Sequence, residues 1–362
     1  IGGVWDFCLT LVQALDARVT LLALGPESAE HRQAAARAGA DVRFVPLKLE
    51  WMQAADRDVR RTREVVRDLV RTLRPDLVHA NQFAAALAEI DVPVVLTVHS
   101  DVLSWRRWTL GASAADVPLE WAAYARLVLA ALRAADRVVA VSRFLADQVR
   151  ELYEFDQPIE VVHNGWPAPA CHRPSSGTGG DGANGDGERL GTLLAGRAWD
   201  DAKNVGLAAA AAQGWDPGPV WLAGDLRHPD SDGLQCVEAP VQALGRLSRA
   251  ELDERLRRAA IYLSPARYDP FGLLPLQAAL HGATLLLSDI PSYRELWQGA
   301  ACFFASDDPI DLRDKWGRLL ANPAERAKLA SAARARAAVY TPAAMASAYQ
   351  RLYAGAGRGV AA

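Results

Sequence analysis

Residues 266–282, ARYDPFGLLPLQAALHG, place an acid, a proline, an aromatic and a glycine directly ahead of an apolar helix. One Ser or Asp is enough to start a helix, so the excess points to a ligand. Gly272 lets a ligand come close to the backbone. The free N–H groups of Phe271, Gly272 and Leu273, read as the first turn of that helix, can hold oxygens. Asp269, at a strand end, is either an N-cap carboxylate or an acceptor for hydroxyls beside a reacting carbon. Gln277 follows about two helical turns along on nearly the same face, within reach of another part of one ligand or simply at a helix edge. A second stretch, GRAWDDAKN at 196–204, puts Arg197 just past a strand end and Lys203 at the start of the next helix. Taken alone these are solvated surface cations; beside the first stretch they suit a diphosphate, with backbone N–H groups and the helix dipole adding to the charge.

The elements that must position these groups alternate. VTLLAL (19–24), VRFVPL (42–47), DLVHA (76–80), PVVLTVH (93–99) and RVVAVS (137–142) read as buried parallel strands. Helical spacing covers 4–15 and 56–73, the latter with a stripe of Val59, Val66, Leu69, Val70 and Leu73. SSGTGGDGANGDGE (175–188) cannot pack and reads as a flexible linker. A second series follows at 190–196, 219–224, 241–245, 260–265, 284–289 and 301–304, with a capping box at Ser248 and Glu251. The Ala- and Arg-rich helices 309–321, 323–338 and 343–355 close the chain. The expected fold is α/β: two doubly wound, Rossmann-like domains facing across a cleft. Their expected limits are 1–165, a linker at 166–189, 190–340, and a C-terminal helix within 341–362 that packs back on the first domain.

The 362 residues suit about two domains. A net charge of −3 gives no general attraction to nucleic acid or an anionic membrane. No apolar run reaches the roughly 20 residues that cross a bilayer. Cys8, Cys171, Cys236 and Cys302 lack metal-type spacing and read as reduced thiols of a cytosolic protein. DLRHPDSD (225–232) reads as a solvated turn rather than a metal site. The opening IGGVWDF, without Met, reads as a glycine turn whose preceding strand has been cut away.

At this point a family resemblance is visible. SPARYDPFGLLPLQAALHGATLLLSDIPSYRE resembles the signature of the retaining, nucleotide-sugar-dependent glycosyltransferases of family 4, the group 1 glycosyltransferases, which have the GT-B fold. GGVWDFCLTLVQAL, LTVHSD, ADRVVAVSRFL, IEVVHNGWP and LLAGRAWDDAKN resemble further family segments in the family's order. The resemblance implies that Arg197 and Lys203 neutralise the donor's diphosphate leaving group. It implies that His99 faces the transferred sugar and that Gly2 and Gly3 admit donor and acceptor to the backbone. Asp269 and Gln277 fall on the two Glu residues of the family's E-x7-E pattern, which contact the sugar near its anomeric centre and the ribose hydroxyls. Asp shortens that reach by about 1.5 Å, and Gln keeps hydrogen bonding without charge. Phe271, Gly272 and Leu273 would bind donor oxygens through their N–H groups.

The expected reaction is transfer of a sugar from a UDP- or GDP-sugar, with retention and without an obligatory cofactor or metal, to a glycan, lipid or small-metabolite acceptor. Trp51, Asn81 and Asp101 are candidates to touch that acceptor, and Trp51, Trp105 and Trp108 either stack on an acceptor sugar or pack between loop and core. The alternatives are a catalytically weak or inactive nucleotide-sugar-binding module, or a phosphorylase or epimerase of the same fold. The expected location is the cytoplasm, with a peripheral place at the inner membrane face left open.

Overall fold

The computed structural model describes residues 2–113, 117–169, 189–228 and 237–356. The linker at 175–188, Cys171, Cys236 and the end of DLRHPDSD lie outside the described residues. The chain divides into two units, one of residues 1–165 with 340–362 and the other of residues 166–339.

Unit 1 runs α1 (Gly3–Ala14), β1 (Val19–Leu24), α2 (Ala29–Ala38), β2 (Ala40–Val45), α3 (Asp56–Leu73), β3 (Val78–Ala80), α4 (Phe83–Ala86), β4 (Val94–Val98), α5 (Val102–Leu110), α6 (Leu119–Ala134), β5 (Arg137–Ala140), α7 (Arg143–Tyr153) and β6 (Ile159–Val161). The C-terminal helix, Pro342–Ala356, completes it. Its strands form two parallel sheets, β1-β2 and β3-β4-β5-β6, where a single doubly wound sheet was expected. The apolar faces of α1 and the C-terminal helix meet β4 and β5 in one core of Phe7, Leu11, Val95, Val139, Met345 and Tyr349. The expected stripe on α3 holds only in part: Val59 and Val66 are buried, with Thr62 beside them, whereas Leu73 is 40% exposed in the last turn.

Unit 2 is built on one six-stranded parallel sheet. Its elements are β7 (Leu190–Ala195), a 3-10 turn (Asp201–Lys203), α8 (Gly206–Ala211), β8 (Val220–Ala223), β9 (Val241–Gly245), α9 (Arg249–Arg258), β10 (Ala259–Ser264), α10 (Leu273–Leu280), β11 (Thr284–Ser288), α11 (Pro291–Trp297), β12 (Cys302–Phe304), α12 (Pro309–Ala321) and α13 (Pro323–Ala337). β10 and β11 are buried at every position, as strands covered on both faces must be. The caps are legible locally: Ser248 and Glu251 form the reciprocal box of α9, and Asp308 and Asn322 precede Pro at the starts of α12 and α13. Trp316 of α12 is fully buried, and its indole N–H donates to Thr192 Oγ1 on β7 at 2.9 Å.

The strand order, β12-β11-β10-β7-β8-β9, reverses between β7 and β10. In open parallel sheets the loops that leave such a reversal point diverge at the strands' C-terminal ends and form a ligand crevice. Arg197 follows β7 and Asp269 follows β10.

Candidate active site

The loop after β7 carries both cations. Gly196 has φ +147, and the carbon stem of Lys203 runs alongside it, in van der Waals contact at 3.5 Å from where a Cβ on Gly196 would stand. Lys203 closes the 3-10 turn, and Asn204 at φ +50 stops it from continuing as a helix. Lys203 is therefore not at a helix start as expected, because the left-handed Asn204 separates it from the six-residue α8.

Both cations are already paired. Arg197 donates to Asp200 Oδ2 at 2.6 Å and its guanidinium lies 5.1 Å from the centre of the Trp199 ring. Asp200 is buried and caps the turn through Ala202 N–H. Lys203 Nζ donates to Asp269 Oδ2 at 2.9 Å, with both side chains largely shielded from water. The four charged groups sum to zero, so the loop offers hydrogen-bond donors rather than a net positive field. An ammonium has three N–H bonds, and one pairing with Asp269 leaves two for a ligand.

Asp269 is held from three sides. Tyr293 O–H donates to Oδ2 at 3.2 Å and Ser292 Oγ donates to the Asp269 carbonyl at 2.6 Å. Tyr293 shares a second hydrogen bond with Ser264 at 2.8 Å and is fully buried, which pushes its phenol far above the usual range. Oδ1 of Asp269 accepts from no described residue and is the oxygen left for an incoming hydroxyl.

Gly272 is the N-cap of α10 at φ +80, and α10 begins at Leu273, so the helix starts two residues later than the expected first turn. A Cβ on Gly272 would stand 2.9 Å from Tyr293 Cε1. No described residue accepts from the N–H groups of Gly272 or Leu273, whereas the Phe271 side chain is buried. Gln277 is 2% exposed, and its Oε1 has no hydrogen-bond partner among the described residues.

Of the unit 1 candidates, Asn81 touches His99. The carbonyl oxygen of Asn81 can only accept, so His99 Nε2–H donates to it at 2.8 Å, leaving Nδ1 as a bare acceptor in the neutral ring. Asn81 Nδ2 approaches Cys8 Sγ at 3.6 Å, and Phe7 sets its edge against the His99 ring at 4.6 Å. These contacts tie the site to α1, whose N-cap Gly2 and first residue Gly3 are exposed. His79 bridges Thr97 (2.7 Å) and Tyr353 (2.8 Å) behind it. Burial pushes His99 down to about 3, with His79 adding to the shift, and His79 itself down to about 4. Burial also pushes the Cys8 thiol up to about 12.

Both imidazoles therefore bind protons less readily in the folded chain than in the unfolded one, where the usual value is about 6.5. Their contribution to stability is complete above about pH 6.5 and is lost as the pH falls toward 4 and below. The urea unfolding free energy is expected to drop on the order of 1–2 kcal/mol per buried imidazole from pH 7.5 to pH 5. In His79→Gln the drop becomes smaller; an unchanged drop would mean that His79 does not contribute.

Asp101 does not face a ligand. It is the buried N-cap of α5, taking Ser104 N–H (2.9 Å) and Tyr153 O–H (2.8 Å) on Oδ1 and Ser104 Oγ on the other oxygen. Trp108 packs on α7 against Phe144, with its N–H on Gln148 at 2.8 Å. Trp51 is half-buried in the turn after Glu50. Glu50 Oε1 accepts from Phe83 N–H at 2.8 Å, and burial raises its pKa. The sequence reading missed Asp200, Tyr293 and Glu50. Asp200 was the most legible of them, since an Asp just ahead of a turn is a cap signal.

Among the described residues, no group of three or more His, Cys, Asp or Glu side chains is placed to hold a metal ion, and no helix is long and apolar enough to cross a membrane.

Comparison with known proteins follows the same division. Residues 1–167 match the family model Glycosyltransferase Family 4, and residues 236–336 match Glycosyl transferases group 1. The chain is 30% identical over 291 residues to glycogen synthase of Mycobacterium tuberculosis, covering 74% of this chain and 65% of that protein. Among solved structures it is similar to HepE of Anabaena in complex with UDP-glucose, with TM-score 0.71 and 16% identity over 98% of this chain and 96% of that one. It is also similar to sucrose-phosphate synthase of Thermosynechococcus elongatus, with TM-score 0.69 and 18% identity over 95% and 96%. The structural likenesses carry the fold, and the two family models together span well over half of the residues. The chain belongs to the group 1 glycosyltransferases, with the GT-B fold.

Proposed function

We propose that the chain transfers a sugar from a nucleoside diphosphate sugar to an acceptor hydroxyl with retention at the anomeric carbon. The observation that carries this reading is the Lys203–Asp269 pair at the sheet's reversal point: an ammonium with two N–H bonds to spare beside a carboxylate with one oxygen unused. In this reading unit 2 holds the nucleotide. Lys203, Arg197 and the N–H groups of Gly272 and Leu273 take the diphosphate oxygens, Asp269 Oδ1 takes a sugar hydroxyl, and Gln277 Oε1 gains the ribose hydroxyl it lacks as a partner. In unit 1 the bare Nδ1 of His99, its tautomer fixed by Asn81, is an acceptor for a sugar hydroxyl.

The bond from the anomeric carbon to the β-phosphate oxygen breaks, and its electron pair stays on that oxygen, where the Lys203 ammonium meets the growing charge. The acceptor oxygen forms its bond on the same face of the sugar and loses its proton to the departing phosphate. No protein nucleophile is required.

HepE was solved with UDP-glucose, which makes that donor the first to test, and the glycogen synthase relative makes an α-glucan the first acceptor. The test is a thermal-shift screen with UDP-, GDP- and ADP-glucose, followed by nucleotide release with and without glycogen. A ligand at 100 times its Kd adds about 2.7 kcal/mol to stability, which reads as a rise of several degrees. If no sugar nucleotide raises the melting temperature or is turned over, the proposal fails.

A further inference from the structure

Three segments distant in sequence meet on one carboxylate. Asp307 Oδ1 accepts from Arg267 Nε at 2.7 Å and from Asn204 Nδ2 at 2.9 Å, and Arg267 NH2 lies 2.7 Å from the same oxygen. Asn204 directly follows Lys203, and Arg267 stands two residues before Asp269. Arg267 also grips the turn through its backbone, its N–H donating to the Ala202 carbonyl at 2.8 Å. The acid itself is anchored at the foot of α12. The neighbouring Asp308 accepts Ile310 N–H (2.9 Å) and Asp311 N–H (3.0 Å), and Ala305 N–H donates to Asp311 Oδ2 (2.8 Å).

Stability does not account for this arrangement. The Arg267 and Asp307 side chains are 32% and 50% exposed, and ion pairs that open to water add little to folding. Asn204 and Asp307 meanwhile sit at φ +50 and +62, a left-handed region that Asn and Asp enter more readily than other residues with a side chain. A contact worth little to folding that ties the residue after Lys203 to the loop leading to Asp269 points to a geometric task.

We propose that Asp307 is a positioning residue for the glycosyl-transfer site. It locks the turn carrying Lys203 to the loop carrying Asp269, so the ammonium stands at one fixed place against the carboxylate. Only the kinetic consequence rests on the proposed function; the placement of Lys203 does not.

Two variants test it. Asp307→Ala removes the acceptor. Asp307→Asn keeps an acceptor oxygen and a residue that tolerates left-handed backbone. The first measurement is acetylation of Lys203 by a small N-hydroxysuccinimide ester, read by peptide mass spectrometry against the exposed Lys328. Freed from its carboxylate, Lys203 is expected to react about threefold faster in the Ala variant and at the wild-type rate in the Asn variant. The second is UDP release from UDP-glucose. Asp307→Ala lowers kcat about tenfold with a donor KM little changed, and Asp307→Asn keeps at least about half of the wild-type kcat. Both variants melt within about 3 °C of wild type.

Unchanged Lys203 labelling in Asp307→Ala overturns the proposal. So does an equal loss of turnover in both variants accompanied by a shared fall in melting temperature. If the wild type turns over no sugar nucleotide, the glycosyl-transfer reading fails, and the labelling result still decides the positioning role.

Discussion

Lys203→Ala is expected to lower kcat for nucleotide release by about 10²–10³-fold, equivalent to roughly 3–4 kcal/mol of transition-state stabilisation. Two effects act together. The variant loses the donor that meets charge on the leaving oxygen, and it leaves Asp269 unpaired beside the diphosphate. The loop's charge balance then falls from zero to −1, so the site repels the anion it must stabilise. This second effect predicts non-additivity: Asp269→Asn in the Lys203→Ala background should cost much less than it does in wild type, because the two side chains act as a pair. Steady-state kinetics of the four proteins, with far-UV circular dichroism to check folding, decide the point. Wild-type turnover in Lys203→Ala refutes the mechanism, and additive losses refute the coupling.

Gly224→Ala has the largest expected effect on stability. Gly224 directly follows β8 at φ +146, and a Cβ there would lie 1.7 Å from the Gly196 carbonyl oxygen. The ends of three strands are stitched at this point, with Gly196 N–H on Ala223 O at 2.9 Å and Gly224 N–H on Gly245 O at 2.8 Å. Relief requires moving backbone rather than a flexible side chain, so the expected loss is about 3 kcal/mol or more. Gly218 supplies the control: it has φ +74 but open space around its Cβ, so Gly218→Ala pays only the conformational cost of about 1 kcal/mol. Urea unfolding of both variants measures the difference. Equal destabilisation would mean that the strand ends yield to the extra methyl. Because Arg197 follows Gly196 directly, the displacement should also weaken nucleotide binding in Gly224→Ala and leave it intact in Gly218→Ala.

The second unit was nearly transparent in sequence because its strands are continuous apolar runs and its helices carry local caps. β10, β11 and the Ser248–Glu251 box needed only neighbouring residues to be recognised. β6 was missed because three residues with an exposed Glu160 in the middle carry too little pattern. The family signature brought Lys203 and Asp269 into one argument, but not their pairing, which joins residues 66 apart in sequence. Tyr293 and Asp307 act through contacts of the same kind, which neither periodicity nor capping rules encode. Asp101 shows the opposite failure: it was expected at the acceptor, and its burial and its bond to Ser104 N–H make it the cap of α5.

Gly165 and Thr341 touch so closely that a side chain on the glycine would stand 2.3 Å from the Thr341 carbonyl oxygen. Everything from 166 to 339 is thus a guest inserted into a host whose two cut ends lie together. On the ribosome the order matters. Residues 1–165 emerge first, yet Met345 and Tyr349, which fill their core, come last. At about 5–20 residues per second the host waits roughly 10–35 s for its closing helix. During that wait Phe7, Leu11 and Val95 have no lid, and the nascent chain is at its most vulnerable to aggregation and most in need of a chaperone.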